Sequence, residues 1–172
     1  MRDGMNQFVW RKMRDTDVTA VTDVANSVHP DFPEDISVFQ DRFDLYPAGC
    51  FVLENDNNIV GYGISHPWAL DEAPALNSLL EVLPPSASSY YLHDVALSEK
   101  ARSGGNASKL LKLMVQQAQD DGFDAMALVA VNGSRPFWER QGFSVRDVAA
   151  LAQKLKSYSD DAHYMVRFLK NI

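Results

Sequence analysis

The chain has 172 residues, of which 46% are hydrophobic and 23% are charged. This length is typical of one globular domain, and the composition excludes a disordered, collagen-like or coiled-coil chain. The formal net charge of −7 disfavours a nucleic-acid partner, because proteins bind nucleic acids mainly by neutralising phosphates.

The first half of the chain predicts a strand, two helices and a hairpin. Residues 8–13 form a short apolar and basic strand, and valines at helical spacing indicate a helix ending at Val28. Residues 34–46 predict a second helix, which ends before Pro47. Residues 50–66 predict an antiparallel hairpin, since the Asn and Asp residues between its apolar runs tolerate the left-handed backbone of a tight turn.

The second half of the chain predicts a parallel pair of strands. The proline-rich residues 67–89 predict a surface excursion with at most one short helix. A strand over residues 90–97, a glycine-rich loop, a helix over residues 107–122 and an apolar strand over residues 124–131 follow. A short helix and two closing strands complete a mixed α/β order.

The cysteine and histidine content predicts neither a disulfide nor a metal site. Cys50 is the only cysteine, and the four histidines lack metal-like spacing. No apolar run is long enough to span a membrane, and the N-terminal segment has no signal-peptide core. These features predict a cytoplasmic protein with no membrane partner.

The loop before the third helix is the first candidate binding site. A strand that leads through Gly104 and Gly105 into a helix start gathers free backbone N–H groups and the positive end of the helix dipole, which favours a phosphate. Two adjacent glycines also suit a plain sharp turn. The GxGxxG and GxxxxGK[ST] motifs are absent, which disfavours a dinucleotide or NTPase site.

Two motifs carry a family resemblance. Residues 102–107, Arg-Ser-Gly-Gly-Asn-Ala, have the pattern R-x-x-G-x-A, and residues 132–143, Asn-Gly-Ser-Arg-Pro-Phe-Trp-Glu-Arg-Gln-Gly-Phe, follow the next strand. In these motifs and their order the chain resembles the GCN5-related N-acetyltransferase (GNAT) superfamily, most closely over residues 90–145. The resemblance implies a mixed α/β fold with a partly splayed sheet of about six to seven strands and about four helices. It also implies a single acetyl-CoA-dependent domain over residues 1–172.

The same resemblance implies acetyl-CoA as co-substrate. Its pyrophosphate would bind the loop amides, its pantetheine arm the backbone of the preceding strand, and its thiol end would lie beside the second motif. The implied cofactor-binding residues are Val95, Ala96, Leu97, Arg102, Ser103, Gly104, Gly105, Asn106, Ala107, Ser108, Asn132, Phe137 and Trp138.

The resemblance also implies where a catalytic base would lie. Acetyl transfer to an amine needs a base, because an ammonium group like that of lysine has a pKa of about 10.4. The family position of the base corresponds here to His93 and Tyr91, on one face of the strand, with Asp94 pointing to the opposite face. We favour His93, acting directly or through water, since imidazole titrates near neutral pH. A histidine in a strand is also a common structural residue.

One position departs from the family pattern. The tyrosine that often protonates the leaving thiolate is replaced here by Trp138, whose indole cannot act as an acid near neutral pH. Solvent or another donor must substitute, and the sequence does not choose among Tyr62, Tyr91 and Tyr164.

The acceptor end of the site is the least defined by sequence. His66 and Trp68, at the end of the hairpin, are expected to line a pocket for a small-molecule or peptide amine. The sequence predicts an N-acetyltransferase that transfers the acetyl group directly to a primary amine. The alternative is a catalytically silent acyl-CoA-binding module. Dimerisation is common in the superfamily, so a homodimer is a further expectation.

Overall fold

The computed structural model describes residues 7–169, which form one sheet with helices on both faces. The strands are Phe8–Lys12 (β1), Cys50–Asn55 (β2), Asn58–Trp68 (β3), Ser89–Leu97 (β4), Ala125–Ala130 (β5), Ser144–Val145 (β6) and His163–Phe168 (β7). The helices are Val18–Val28 (α1), Ile36–Leu45 (α2), Asn106–Asp120 (α3), Arg135–Arg140 (α4) and Ala152–Tyr158 (α5). The predicted mixed α/β class with a sheet of about six to seven strands is confirmed.

The sheet opens in its middle. Its strand order is β1-β2-β3-β4-β5-β7-β6, and only β4 and β5 are parallel. These two strands pair only between residues 90–92 and residues 126–128. Beyond Leu92 the strands diverge, so the remainder of β4 pairs with β3 alone and its other edge faces a gap.

A β-bulge in β4 changes which side chains share a face. Ile64 lies opposite Asp94 and Ser65 lies opposite Leu92, so His93 is an extra residue with no partner across β3. An extra residue interrupts the alternation of side chains. His93 and Asp94 consequently both point toward the segments around α1 and α2. The expectation that Asp94 points to the opposite face from His93 is wrong for this reason.

Two apolar layers hold the helices against the sheet. On one face α3 packs Leu110 and Met114 against Leu92, and on the other face α1 and α2 pack Val21 and Phe39 against the hairpin. No helix within residues 7–169 is long and apolar enough to cross a lipid bilayer.

The proline-rich excursion, residues 69–88, forms no helix. Asn77 and Glu81 have left-handed backbones, with φ of 53° and 64°, which an α-helix does not accommodate. The excursion is instead fastened by hydrogen bonds to both sides. Lys154 in α5 donates to the Ala73 carbonyl at 2.9 Å, and Arg42 in α2 donates to the Ser78 carbonyl at 2.6 Å. Helix α5 was not predicted from the sequence.

Candidate active site

A cleft of about 420 Å³ opens where β4 and β5 diverge. One end of it, the cofactor end, is lined by eight residues that the sequence predicted to bind acetyl-CoA: Val95, Ala96, Leu97, Arg102, Ala107, Asn132, Phe137 and Trp138. The other end, the acceptor end, is lined by Val28, His29, Phe32, Glu34, Leu76, Tyr91, His93, Asp94 and Tyr158.

The loop before α3 has the backbone of an anion-binding turn. Gly104 and Gly105 have φ of 82° and 76°, and α3 begins at the next residue. A Cβ at either position would meet no atom within 4 Å, so glycine serves backbone conformation here rather than space. The first amides of an α-helix have no intrahelical acceptor, and they lie at the positive end of the helix dipole.

Side chains behind this loop hold it in place. Asn106 is buried, and its amide donates to the carbonyls of Ala101 at 3.0 Å and Ser103 at 3.3 Å. Trp10 donates its indole N–H to the Asn106 carbonyl at 2.9 Å. The hydroxyl of Ser108 accepts a hydrogen bond at 3.2 Å from the side-chain amide of Gln141. The predicted residues that do not line the cleft, Ser103, Gly104, Gly105, Asn106 and Ser108, therefore form the loop and helix start beside Arg102.

The chemistry of the cofactor end fits acetyl-CoA. A helix start that favours an anion lies at one end, and the unpaired edge of β4 together with apolar side chains forms the walls. Phe137 and Trp138 pack edge-to-face with their ring centroids 4.9 Å apart, and Trp138 packs in the same way on Phe143. These rings give the second motif a fixed place on the wall.

A buried dyad of Glu34 and His93 forms the centre of the acceptor end. The His93 Nε2 atom lies 2.9 Å from the Glu34 carboxylate, and the two side chains are 7% and 6% exposed. Because an ionised carboxylate only accepts, the dyad places a proton on Nε2 and leaves the Nδ1 lone pair of a neutral ring available. Burial alone would raise the pKa of Glu34, but the charge and hydrogen bond of His93 overcome it and hold the pKa below its ordinary value.

A second dyad joins His29, at the end of α1, to Asp94. The His29 Nε2 atom lies 3.2 Å from the Asp94 carboxylate and 3.3 Å from the Val95 carbonyl oxygen. Although burial disfavours its charge, this carboxylate raises the pKa of His29 above its ordinary value. Burial would likewise raise the pKa of Asp94, yet His29 and the Tyr62 hydroxyl, which donates to it, hold that pKa low.

The tyrosines near the cleft already have partners. Burial, followed by the neighbouring Tyr158 hydroxyl, raises the pKa of Tyr91, and burial raises the pKa of Tyr158 to about 12. Tyr158 donates to the Pro74 carbonyl, and Tyr164, which is not part of the cleft wall, accepts from the Asp71 amide at 2.9 Å.

His66 and Trp68 lie below and beside the acceptor end rather than on its surface. The His66 ring is fully buried against Tyr91 and His93, with centroids 5.5 and 6.3 Å away. Its Nε2 atom has no partner among the described residues, and burial lowers its pKa to about 3. Trp68 lines a separate groove next to Lys154. The structure thus brings neither residue to the cleft.

Comparison with known proteins identifies the fold family. A model of the acetyltransferase (GNAT) family matches residues 12–143. The chain belongs to the GNAT acetyltransferase family. No significant match to a curated protein was found.

Solved structures share the GNAT fold at low sequence identity. The GNAT-like decarboxylase GphF in complex with isobutyryl-CoA is 15% identical, with 94% of this chain and 100% of that chain covered and a TM-score of 0.76. The NatC complex bound to Gag peptide and CoA is 15% identical, with 95% of this chain and 99% of that chain covered and a TM-score of 0.73. N-acetylglutamate synthase from Neisseria gonorrhoeae, complexed with coenzyme A and N-acetyl-glutamate, is 14% identical. The alignment covers 96% of this chain and 36% of that chain, with a TM-score of 0.72. This chain therefore corresponds to about a third of that synthase.

Three polar residues of the acceptor end were not predicted from the sequence. His29, Glu34 and Tyr158 belong to no motif, and each comes from a segment far from β4 in the chain. His29 follows the first predicted helix, and Glu34 was placed at the start of the second predicted helix, whereas α2 begins only at Ile36. Two titratable residues so close to the junction of the predicted helices were the one available signal.

Proposed function

We propose that this GNAT protein transfers the acetyl group of acetyl-CoA directly to a primary amine, with His93 as the general base. The observation that carries the proposal is the Glu34–His93 dyad, which lines the same cleft as the residues of the cofactor motif. A neutral imidazole with its Nε2 proton held by a buried carboxylate has Nδ1 free to accept a proton.

The cofactor end would hold acetyl-CoA through its backbone. The amides of residues 103–107 and the start of α3 would bind the pyrophosphate, with Arg102 and Ser108 beside them. The edge of residues 95–97 would hold the pantetheine arm, while Asn132, Phe137 and Trp138 would enclose the thiol end. When bound, acetyl-CoA supplies an acetyl thioester.

The transfer step needs three proton movements. His93 removes a proton from the ammonium form of the acceptor, directly or through water. The amine nitrogen then attacks the acetyl carbon, an N–C bond forms and the C–S bond breaks. The nitrogen loses a second proton, and the thiolate takes up one proton to become the free thiol. The sum is an ammonium and a thioester giving an amide, a thiol and one released proton.

Trp138 would offer the leaving thiolate a hydrogen bond but no proton. Trp138 lines the cleft, and an indole N–H can donate a hydrogen bond without losing its proton. Tyr62 donates to Asp94 and Tyr158 donates to Pro74, so these hydroxyl protons are already engaged. Solvent would therefore protonate the thiolate, and a direct transfer without a covalent enzyme intermediate fits this arrangement. Cys50 is buried, and burial raises its thiol pKa to about 12, which disfavours a cysteine route.

A catalytically silent acyl-CoA-binding module is the second candidate. Trp138 in place of the family tyrosine favours it. The structurally similar GNAT-like decarboxylase, in complex with isobutyryl-CoA, is an example of this fold with an activity other than acetylation.

Two measurements separate the candidates. Calorimetric titration with acetyl-CoA tests the cofactor end, and both candidates predict binding. Thiol release in the presence of a panel of primary amines then tests transfer. Release above the rate without amine, lost in His93→Ala but kept in the exposed-site control Asp31→Asn, would support acetyl transfer. Binding without amine-dependent release would support the silent module.

A further inference from the structure

The acceptor end of the cleft carries an excess of negative charge. Glu34 and Asp94 both line it, whereas Arg102, at the cofactor end, is the only Lys or Arg within residues 7–169 that lines the cleft. His93 must be neutral to accept a proton. The two carboxylates therefore exceed the positive charge of this end even when His29 is protonated.

The buried guanidinium of Arg42 lies close enough to interact with Glu34, but it is paired with a further carboxylate, Asp41, so the excess of negative charge remains. Arg42 is fully buried, and its Nη1 atom donates to the Asp41 carboxylate at 3.0 Å and to the Ser78 carbonyl. Asp41 also accepts from the Leu80 amide at 2.9 Å. Arg42 thus belongs to the contacts that fasten the excursion to α2, and within residues 7–169 no guanidinium lines the acceptor end.

Apolar side chains form the wall beside the carboxylates. Val28 and Phe32 flank His29 in the chain, and Leu76 reaches the same end from the excursion. Apolar walls with a few convergent charged groups are typical of small-ligand sites. Such a wall can bury the apolar body of an acceptor while its nitrogen faces the dyads.

We propose that the acceptor is a primary ammonium compound with an apolar body and no carboxylate next to the nitrogen, and that Asp94 and Glu34 select it. This inference rests on the acetyl transfer proposed above. The carboxylates attract the ammonium group, and a carboxylate on the neighbouring carbon of the acceptor would be repelled by the same two groups. A free monoamine and the N-terminal residue of a peptide share this chemistry, whereas a free α-amino acid does not.

Three acceptors with the same apolar body test the selection. Isopentylamine represents a monoamine, leucinamide represents an N-terminal residue, and leucine adds the carboxylate. With acetyl-CoA in the thiol-release assay, we expect kcat/KM for the first two to exceed that for leucine by about tenfold or more. The ratio between isopentylamine and leucinamide then distinguishes the two sources of the shared chemistry.

A matched pair of variants tests the role of the carboxylates. Asp94→Asn keeps the size of the side chain and removes its charge, so the preference over leucine should fall to about threefold or less. Asp31→Asn removes an exposed carboxylate that lies outside the cleft, and it should keep the preference. Because the preference of each variant is compared with that of the wild type, the intrinsic reactivity of each amine cancels. Glu34→Gln is the second variant if Asp94→Asn does not fold.

Binding without turnover gives an independent readout. Titration of isopentylamine into the protein saturated with coenzyme A should show binding that weakens about tenfold in Asp94→Asn. Leucine acetylated as well as leucinamide, with a ratio unchanged in Asp94→Asn, would overturn the selection and leave acetyl transfer standing. Acetyl-CoA binding with no thiol release from any amine would instead overturn the transfer, and this inference with it.

Discussion

The two ends of the cleft are built from different materials. The cofactor end uses backbone, namely the free edge of β4, the left-handed turn at Gly104 and Gly105 and the start of α3. The acceptor end uses side chains from separate segments, including His29, Glu34 and His93. A backbone site needs the correct local conformation, whereas a side-chain site needs distant segments to pack correctly. Substitutions at the two ends should therefore fail in different ways.

The largest expected effect is a loss of kcat without a loss of cofactor binding. His93→Ala should lower kcat about thousandfold, since general bases contribute two to four orders of magnitude, while the Kd for acetyl-CoA stays within about twofold. Steady-state kinetics and calorimetry on the same preparation measure both quantities. If His93→Ala lost acetyl-CoA affinity together with kcat, the two ends of the cleft would not act independently.

Glu34→Gln provides the matched variant within the dyad. Glu34 is hydrogen-bonded to His93, so in the proton transfer it acts as a positioning residue, and kcat should fall only about tenfold. Its loss should also displace the pH dependence of kcat to lower pH, because the neutral amide no longer stabilises the imidazolium. A purely structural role for Glu34 would lower kcat without moving this pH profile.

The second prediction concerns the cofactor end. Gly105→Glu places a carboxylate at the start of α3, where repulsion should weaken acetyl-CoA binding about hundredfold. Gly105→Gln has the same size and the same backbone strain without the charge, so it should weaken binding less than tenfold. Calorimetric titration measures both variants. Equal losses in the two variants would show that strain or bulk, rather than repulsion, controls this end.

Most of the fold could be predicted because its signals are local. The apolar periodicity of α3, the hairpin turn between β2 and β3 and the continuous apolar run of β5 each lie within one short segment. The bulge at His93 could not be predicted, since it arises from the pairing of β4 with β3 and leaves no mark in the residues 90–97 themselves.

The candidate site divides in the same way. The motif at residues 102–107 and its partner at residues 132–143 located the cofactor end, because a backbone site is defined by contiguous residues. The dyads could not be located, since Glu34 meets His93 only through packing between residues 59 positions apart. His66 was expected to line the acceptor pocket, but it is fully buried where the excursion and α5 cover the sheet.

The third prediction concerns His66, which is buried beneath the acceptor end. The folded state keeps His66 neutral down to pH about 3, whereas an unfolded histidine is protonated near pH 6.5. Below pH 6.5 the unfolded state therefore binds the extra proton, and stability falls as the pH falls toward 3. Between pH 7 and pH 4.5 this residue should lower the free energy of unfolding by about 2.5 kcal/mol.

His66→Phe should remove that loss, because phenylalanine fills a similar volume and does not titrate. Urea unfolding at the two pH values gives the difference in free energy for each protein. His163→Gln, at a half-buried site in β7, should keep the wild-type difference. If His66 instead contacts water and the acceptor, as the sequence suggested, His66→Phe and the wild type will show equal differences.

The smallest expected effect asks whether the cofactor end depends on backbone conformation alone. Gly104 has φ of 82° and no neighbour within 4 Å of a Cβ, so Gly104→Ala should lower the free energy of unfolding by about 1 kcal/mol through the left-handed backbone. Acetyl-CoA binding should weaken by less than about tenfold, because a methyl group carries no charge. Gly104→Asn should cost less stability than Gly104→Ala, since Asn tolerates this conformation. A loss of binding about hundredfold in Gly104→Ala, with little change in stability, would show that the ligand approaches this backbone more closely than a Cβ allows. The cofactor end would then owe its specificity to space as well as to conformation.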